Sequence, residues 1–156
     1  NYRFIDTDDV IVQATGQNIN QIFAQQGEAA FRDIETQVLA QLAPYTRTVI
    51  ATGGGMVIKQ ENWSYVQSGL VVWLNVSIDE LMMRLSRDKS RPLLKQGNLR
   101  DKLTTLLEQR QNRYAQADAT VVYKSGEKAG AIAKRTLETL QSLIAENPAT
   151  STTLDR

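Results

Sequence analysis

Two carboxylates, Asp6 and Asp8, stand two residues apart where the apolar pair Phe4-Ile5 ends, a spacing at which both side chains of an extended segment leave the same face. One reading makes Asp8 or Asp9 the cap of a following helix. The other gives one carboxylate a magnesium hydration shell and the other a hydrogen bond from a substrate hydroxyl. Arg32 has Glu28 one turn before it and Glu35 three residues after. It reads either as a solvated ion-pair face, each pair being worth about 0.2–0.5 kcal/mol, or as a guanidinium held for an anion. Arg110 falls on the stripe of Leu103, Leu106, Leu107 and Tyr114, where a cation must meet an anion or reach water. Its planar fork suits a carboxylate or a phosphate. Gly53-Gly54-Gly55 offer backbone N–H groups with no side chain in the way. Arg84, Arg87, Lys89 and Arg91 concentrate positive charge around a polar stretch, either a solvated loop or a lid that closes over nucleotide phosphates.

Composition limits the chemistry. The chain has no cysteine and no histidine, so thiol catalysis, disulfides and the commonest general base and zinc ligand are excluded together. Acid–base work falls to carboxylates or to the substrate. With 18 basic and 17 acidic residues, no broad single-sign field marks a nucleic-acid or membrane-surface binder. No apolar run approaches the roughly 20 residues of a membrane span, so the chain reads as soluble and intracellular.

The elements that must position these groups follow from periodicity and punctuation. At 156 residues the chain fits one domain of ordinary size, expected over residues 1–146. Phe4-Ile5 closes a strand, and Gly16 ends the brief helix after it. A second helix, Ile19 to Gln25, stops at Gly27. From Glu28 to Ala43 the apolar positions Phe31, Ile34, Val38 and Leu42 recur at helical spacing, and Pro44 stops the run. The β-branched run Thr48 to Thr52 breaks at the glycines, as a buried parallel strand delivering a loop would. Leu70 to Leu74 is a second such strand, followed by Ser77 with capping-box spacing for a helix through Ser86. Arg87 to Gly97 reads as a mobile loop. Asn98 caps a helix to about Gln116, Thr120 to Tyr123 is a strand, and Lys128 to Ala145 is a closing helix. Residues 147–156 carry too little apolar content to fold. The alternation predicts an α/β protein, a parallel sheet covered by helices on both faces with ligands at the strands' carboxyl ends.

Taken in order, Phe4-Ile5-Asp6-Thr7-Asp8, Ile22-Phe23, Gly27-Glu28, Phe31-Arg32 with Glu35, Gly53-Gly54-Gly55, Arg91-Pro92-Leu93-Leu94 and Arg110 with Tyr114 resemble the shikimate kinase family from Phe4 to about Ile144. The resemblance implies a five-stranded parallel sheet of the nucleoside monophosphate kinase kind, with a lid and a substrate-binding segment. It also implies ATP- and Mg2+-dependent phosphorylation of the shikimate 3-hydroxyl. By the same resemblance Asp8 positions the attacking hydroxyl, Arg32 and Arg110 grip the substrate carboxylate, and Glu35 holds Arg32. Gly53, Gly54 and Gly55 line the substrate pocket, with Phe23 and Phe31 as its apolar wall. Asp6 reaches magnesium through water, Arg91 meets the phosphates on the lid, and Arg84 lies near the adenine. The implied protein is a cytoplasmic monomer, or stromal in a plant.

Two departures stand out. Family members carry a Gly-rich phosphate loop of the GxxGxGK[ST] kind upstream of the segment equivalent to Phe4-Ile5. The glycines at 53–55 are followed by no Gly-Lys-Ser/Thr. The expectation is a piece of a longer protein whose loop precedes Asn1, inactive without it. The rival is a kinase-like binding or regulatory module. Ser125-Gly126-Glu127-Lys128 also lacks the proline that packs on adenine in relatives.

Overall fold

The computed structural model describes residues 2–85 and 98–146. Arg87, Lys89 and Arg91, with the lid expected around them, lie outside these residues, as does the tail after Pro148. The chain divides into two compact units, Asn1–Gly69 and Leu70–Asp155.

In the first unit β1 (Arg3–Asp6) feeds α1 (Thr7–Thr15), α2 (Ile19–Leu42) and β2 (Thr48–Ala51). A 3-10 turn at Met56–Ile58 and the short α3 (Gln60–Val66) follow. β1 and β2 pair in parallel, Arg3 with Thr48 through Asp6 with Ala51. The Asp6 carboxylate at the end of β1 and the glycine run after β2 therefore emerge side by side. Ile11, Ile22, Phe31, Val38 and Leu42 form the buried core, with Ile5, Val10, Ile19, Phe23, Ile34 and Ile50 packed around it. The stripe predicted on α2 is the face that turns inward.

Caps decide the boundaries. Asp6, and not Asp8 or Asp9, is the N-cap of α1: its backbone is extended (φ −100°, ψ 126°) and its Oδ1 accepts from the Asp8 N–H at 2.9 Å. The helix starts at Thr7, so Asp8 is already its second residue, and strand alternation does not govern the direction of its side chain. Gly16 closes α1 in the left-handed region (φ 65°), where a side chain would be strained. Asn18 caps α2 reciprocally with Gln21. The two helices read on either side of Gly27 run together as α2, broken by that glycine at φ 83°, ψ 174°. The sequence reading passed over α3, because seven residues are too few to show a period.

In the second unit β3 (Val72–Asn75), α4 (Ile78–Leu85), α5 (Leu99–Tyr114), β4 (Ala119–Val122) and α6 (Ala129–Glu146) repeat the alternation. β3 and β4 are parallel, Val72 with Ala119 through Asn75 with Val122. Both strands sit within two residues of their expected positions. The Ser77 hydroxyl accepts from Glu80 N–H at 3.3 Å, as its spacing suggested. The turn from β4 into α6 is clasped by Glu127. Its carboxylate takes Arg135 Nε at 3.2 Å and Nη2 at 2.5 Å, and accepts from the Lys124 N–H at 3.2 Å.

Two measurements check these local constraints. Gly27→Ala places a Cβ where the backbone favours glycine, so the variant should lose about 1–3 kcal/mol in urea unfolding; an unchanged midpoint would mean the kink is unstrained. Arg135, then the Lys124 N–H, hold the Glu127 carboxyl below its usual 4.5. A depressed folded value stabilises above the unfolded pKa and is lost as pH falls through the folded one. The melting-temperature advantage of the native chain over Glu127→Gln should therefore persist from neutral pH to about 4.5 and shrink below it. An advantage that persists in acid contradicts this.

Candidate active site

The strongest convergence lies in the first unit. Arg32 is buried on α2, 7% exposed, with Glu35 beside it at 1%. Its Nη1 donates to Glu35 Oε2 at 2.9 Å, while Nε and Nη2 donate to Glu28 Oε1 at 3.3 and 3.1 Å. The solvated ion-pair reading therefore gives way. Arg32 is a desolvated cation between two carboxylates, and removing one partner of such a pair costs roughly 3–5 kcal/mol. The guanidinium also lies 5.1 Å from the Phe31 ring centre, and Phe31 packs on Phe23 at 4.7 Å between centroids. One helical turn thus presents a fixed cation beside an aromatic wall.

The glycine loop lies against this cation with no room for a side chain at Gly55. A Cβ at Gly55 would sit 2.3 Å from Arg32 Nη1, and one at Gly53 would lie 3.3 Å from Glu35 Oε1 and 3.9 Å from Asp8 Oδ1. Neither glycine adopts a left-handed backbone. At Gly55 glycine is favoured by space rather than by conformation, and at Gly53 the fit is tight. Asp8, Arg32, Glu35, Gly53 and Gly55, five of the residues singled out in the sequence, are brought together in this way.

Asp6 sits at the rim with its carboxylate engaged at the α1 N-terminus. Among the described residues no group of three or more acidic, His or Cys side chains gathers to hold a metal ion. A lone carboxylate fits magnesium that keeps most of its waters and takes its remaining oxygens from phosphates.

The second unit holds Arg84 and Arg110. Arg84 donates from Nε to Glu80 Oε1 at 2.8 Å, and its guanidinium lies 4.2 Å from the centre of the Tyr123 ring. Glu80, then Tyr123, raise the Arg84 pKa further. Half of the side chain stays exposed, so the guanidinium is fixed in place while remaining reachable. Arg110 is half-buried on α5, on the helix whose Leu103 is buried and whose Tyr114 stacks with Trp73 at 5.5 Å. The sequence reading missed Tyr123 under Arg84. It also missed Asn62 behind the glycine loop, for which the sequence offers no signal.

Comparison with known proteins bears directly on this arrangement. The family model for shikimate kinase matches residues 1–141. The chain belongs to the shikimate kinase family. Relatives named shikimate kinase include one from Rippkaea orientalis, 52% identical over 92% of this chain and 76% of that protein. Another, from Synechococcus elongatus, is 50% identical over 92% and 75%. Among solved structures, shikimate kinase from Acinetobacter baumannii in complex with shikimate superposes with a TM-score of 0.83 at 34% identity, covering 94% of this chain and 80% of that one. The enzyme from Aquifex aeolicus gives 0.75 at 32% identity, over 90% and 82%. The α/β alternation with parallel strands agrees with both. Among the described residues no helix is long and apolar enough to cross a membrane.

The Gly55 contact yields a direct test. Gly55→Ala should press on the Arg32 guanidinium and lower stability in urea unfolding by about 1–3 kcal/mol, the usual cost of overpacking. An unchanged unfolding midpoint would show that the loop and the side chain accommodate a methyl group there.

Proposed function

We propose that the chain carries the substrate side of a shikimate kinase that transfers the γ-phosphoryl group of ATP to the 3-hydroxyl of shikimate. One observation supports this above the rest: a buried guanidinium, a carboxylate and side-chain-free backbone meet in one place. That combination suits a small acid carrying hydroxyl groups. Of the five N–H donors of a guanidinium, three are engaged by Glu28 and Glu35. The remaining two serve the substrate carboxylate.

In this reading Arg32 and Arg110 bind the carboxylate, with Glu35 setting the Arg32 fork. Gly53, Gly54 and Gly55 let the substrate ring lie against backbone, and Phe23 and Phe31 form its apolar side. Asp8 orients the attacking hydroxyl and accepts its proton as the new oxygen–phosphorus bond forms and the bond to ADP breaks. Arg91 neutralises charge on the transferring group, and Arg84 presents its guanidinium face to adenine. Magnesium, with Asp6 touching its shell through water, would neutralise the phosphates. Phosphoryl transfer asks for positioning and charge neutralisation rather than covalent catalysis, so the absence of His and Cys is compatible with it. Residues 1–146 act as one kinase domain in a cytoplasmic monomer, with no nucleic-acid or membrane partner.

Two substitutions in the full-length protein separate these roles. Arg110→Ala should raise KM for shikimate about 10- to 100-fold with KM for ATP little changed, the loss of one charged contact. Arg91→Ala should chiefly lower kcat, by a factor on the order of 100 or more. Equal effects of Arg110→Ala on both substrates would remove it from the carboxylate site, and undiminished turnover in Arg91→Ala would remove it from the chemistry. Absence of shikimate-dependent ADP release from the folded full-length protein would favour a binding module.

A further inference from the structure

The segment after the glycines is held by a residue outside the groups assigned so far. Gly53 to Ile58 forms two tight turns, with Met56 N–H donating to Gly53 O at 3.1 Å and Ile58 N–H to Gly55 O at 3.0 Å. Met56 and Val57 are buried at 5% and 4%. The Met56 carbonyl, at the junction of the turns, accepts from Asn62 Nδ2 at 2.7 Å across a side chain only 1% exposed. Behind Asn62, α3 packs on α2, the helix that carries Arg32. A polar tie from this segment to α2, Lys59 Nζ to Asp33 at 2.5 Å, lies at the surface, where salt screens it. The Asn62 carboxamide is thus a buried anchor of the loop.

We infer that Asn62 is a positioning residue for the substrate side of the site, its carboxamide holding the Met56 carbonyl so that the glycine loop stays seated against the Arg32 guanidinium. The inference rests on the reading that Arg32 binds the substrate carboxylate. Its force comes from tolerance. With no room for even a Cβ between Gly55 and Arg32, a shift of the loop by a few tenths of an ångström either presses on the fork or opens a gap beside it. Ion pairing with Glu28 and Glu35 fixes the guanidinium from the helix side only. On the loop side Asn62 holds the Met56 carbonyl. A lost buried hydrogen bond would also leave the Met56 carbonyl without this donor, so the loop would move to find another.

The test compares Asn62→Leu, close in size and without a donor, with the native full-length protein, and measures Arg32→Ala and the double variant alongside. Shikimate affinity is read by calorimetry, KM and kcat by ADP release, and folding by thermal melts. The expected result is a shikimate Kd and KM raised about tenfold, KM for ATP within twofold of native, and kcat less affected than KM. The double variant should bind shikimate no more weakly than Arg32→Ala alone, because Asn62 acts through the seat of that side chain. If Asn62→Leu does not fold, Asn62→Ser, which removes the carboxamide with less disturbance, carries the same comparison. A lowered melting temperature with native shikimate affinity overturns the inference and makes Asn62 a structural residue. So do equal rises in both KM values, or effects of Asn62→Leu and Arg32→Ala that simply multiply. Native shikimate affinity in Arg32→Ala fails the underlying reading instead, and is recognisable because it appears without any change at Asn62.

Discussion

A guanidinium taken out of water is expensive unless its donors are met, and the first unit is arranged around meeting those of Arg32. Helical spacing brings Glu28 and Glu35 to opposite sides of the fork, and the Phe31 ring lies 5.1 Å away. A cation held in this way has lost its freedom before any ligand arrives. An anion that meets a cation held in this way costs less ordering entropy than one that meets a long flexible side chain on the surface. The same pairing carries a liability, since the loss of one carboxylate would strand a charge.

From that constraint the glycine loop follows. A side chain at Gly55 would overlap the fork, and one at Gly53 would crowd Glu35 and approach Asp8. The parallel pairing of β1 and β2 delivers both parts to the same edge, Asp6 lying opposite Ala51. The α1 helix then begins at once, with Asp6 as its cap, so Asp8 leaves from the first helical turn. Asp6 is thereby taken up as the cap, while the Asp8 carboxylate lies near Gly53. Behind the loop, the buried Asn62 and the surface pair of Lys59 with Asp33 tie the segment down in different ways, one sheltered from salt and one exposed to it.

In the second unit the same principle is used more loosely. Arg84 is steadied by a buried carboxylate, Glu80, and by an aromatic face, Tyr123, but half of it remains in water. The clasp of Glu127 with Arg135 and the Lys124 amide orders the turn that follows Tyr123.

Much of this was legible in the residues themselves. Elements announced by a long period or by caps, such as the stripe on α2, Gly16 and Asn98, stand where the pattern put them, because they depend on neighbours within a turn or two. The short α3 and the capping role of Asp6 were not visible. Seven residues show no period, and choosing among three adjacent aspartates requires knowing where strand backbone turns helical. By itself the sequence determined the inventory: which side chains bear charge, that no imidazole or thiol exists, and which segments alternate. The tertiary structure alone decided that Arg32 is buried rather than solvated, that Gly55 is glycine for lack of space, and that Asn62 stands behind the loop. These are contacts between segments far apart in the chain, and their energies depend on distance and exclusion of water, which residue order does not contain.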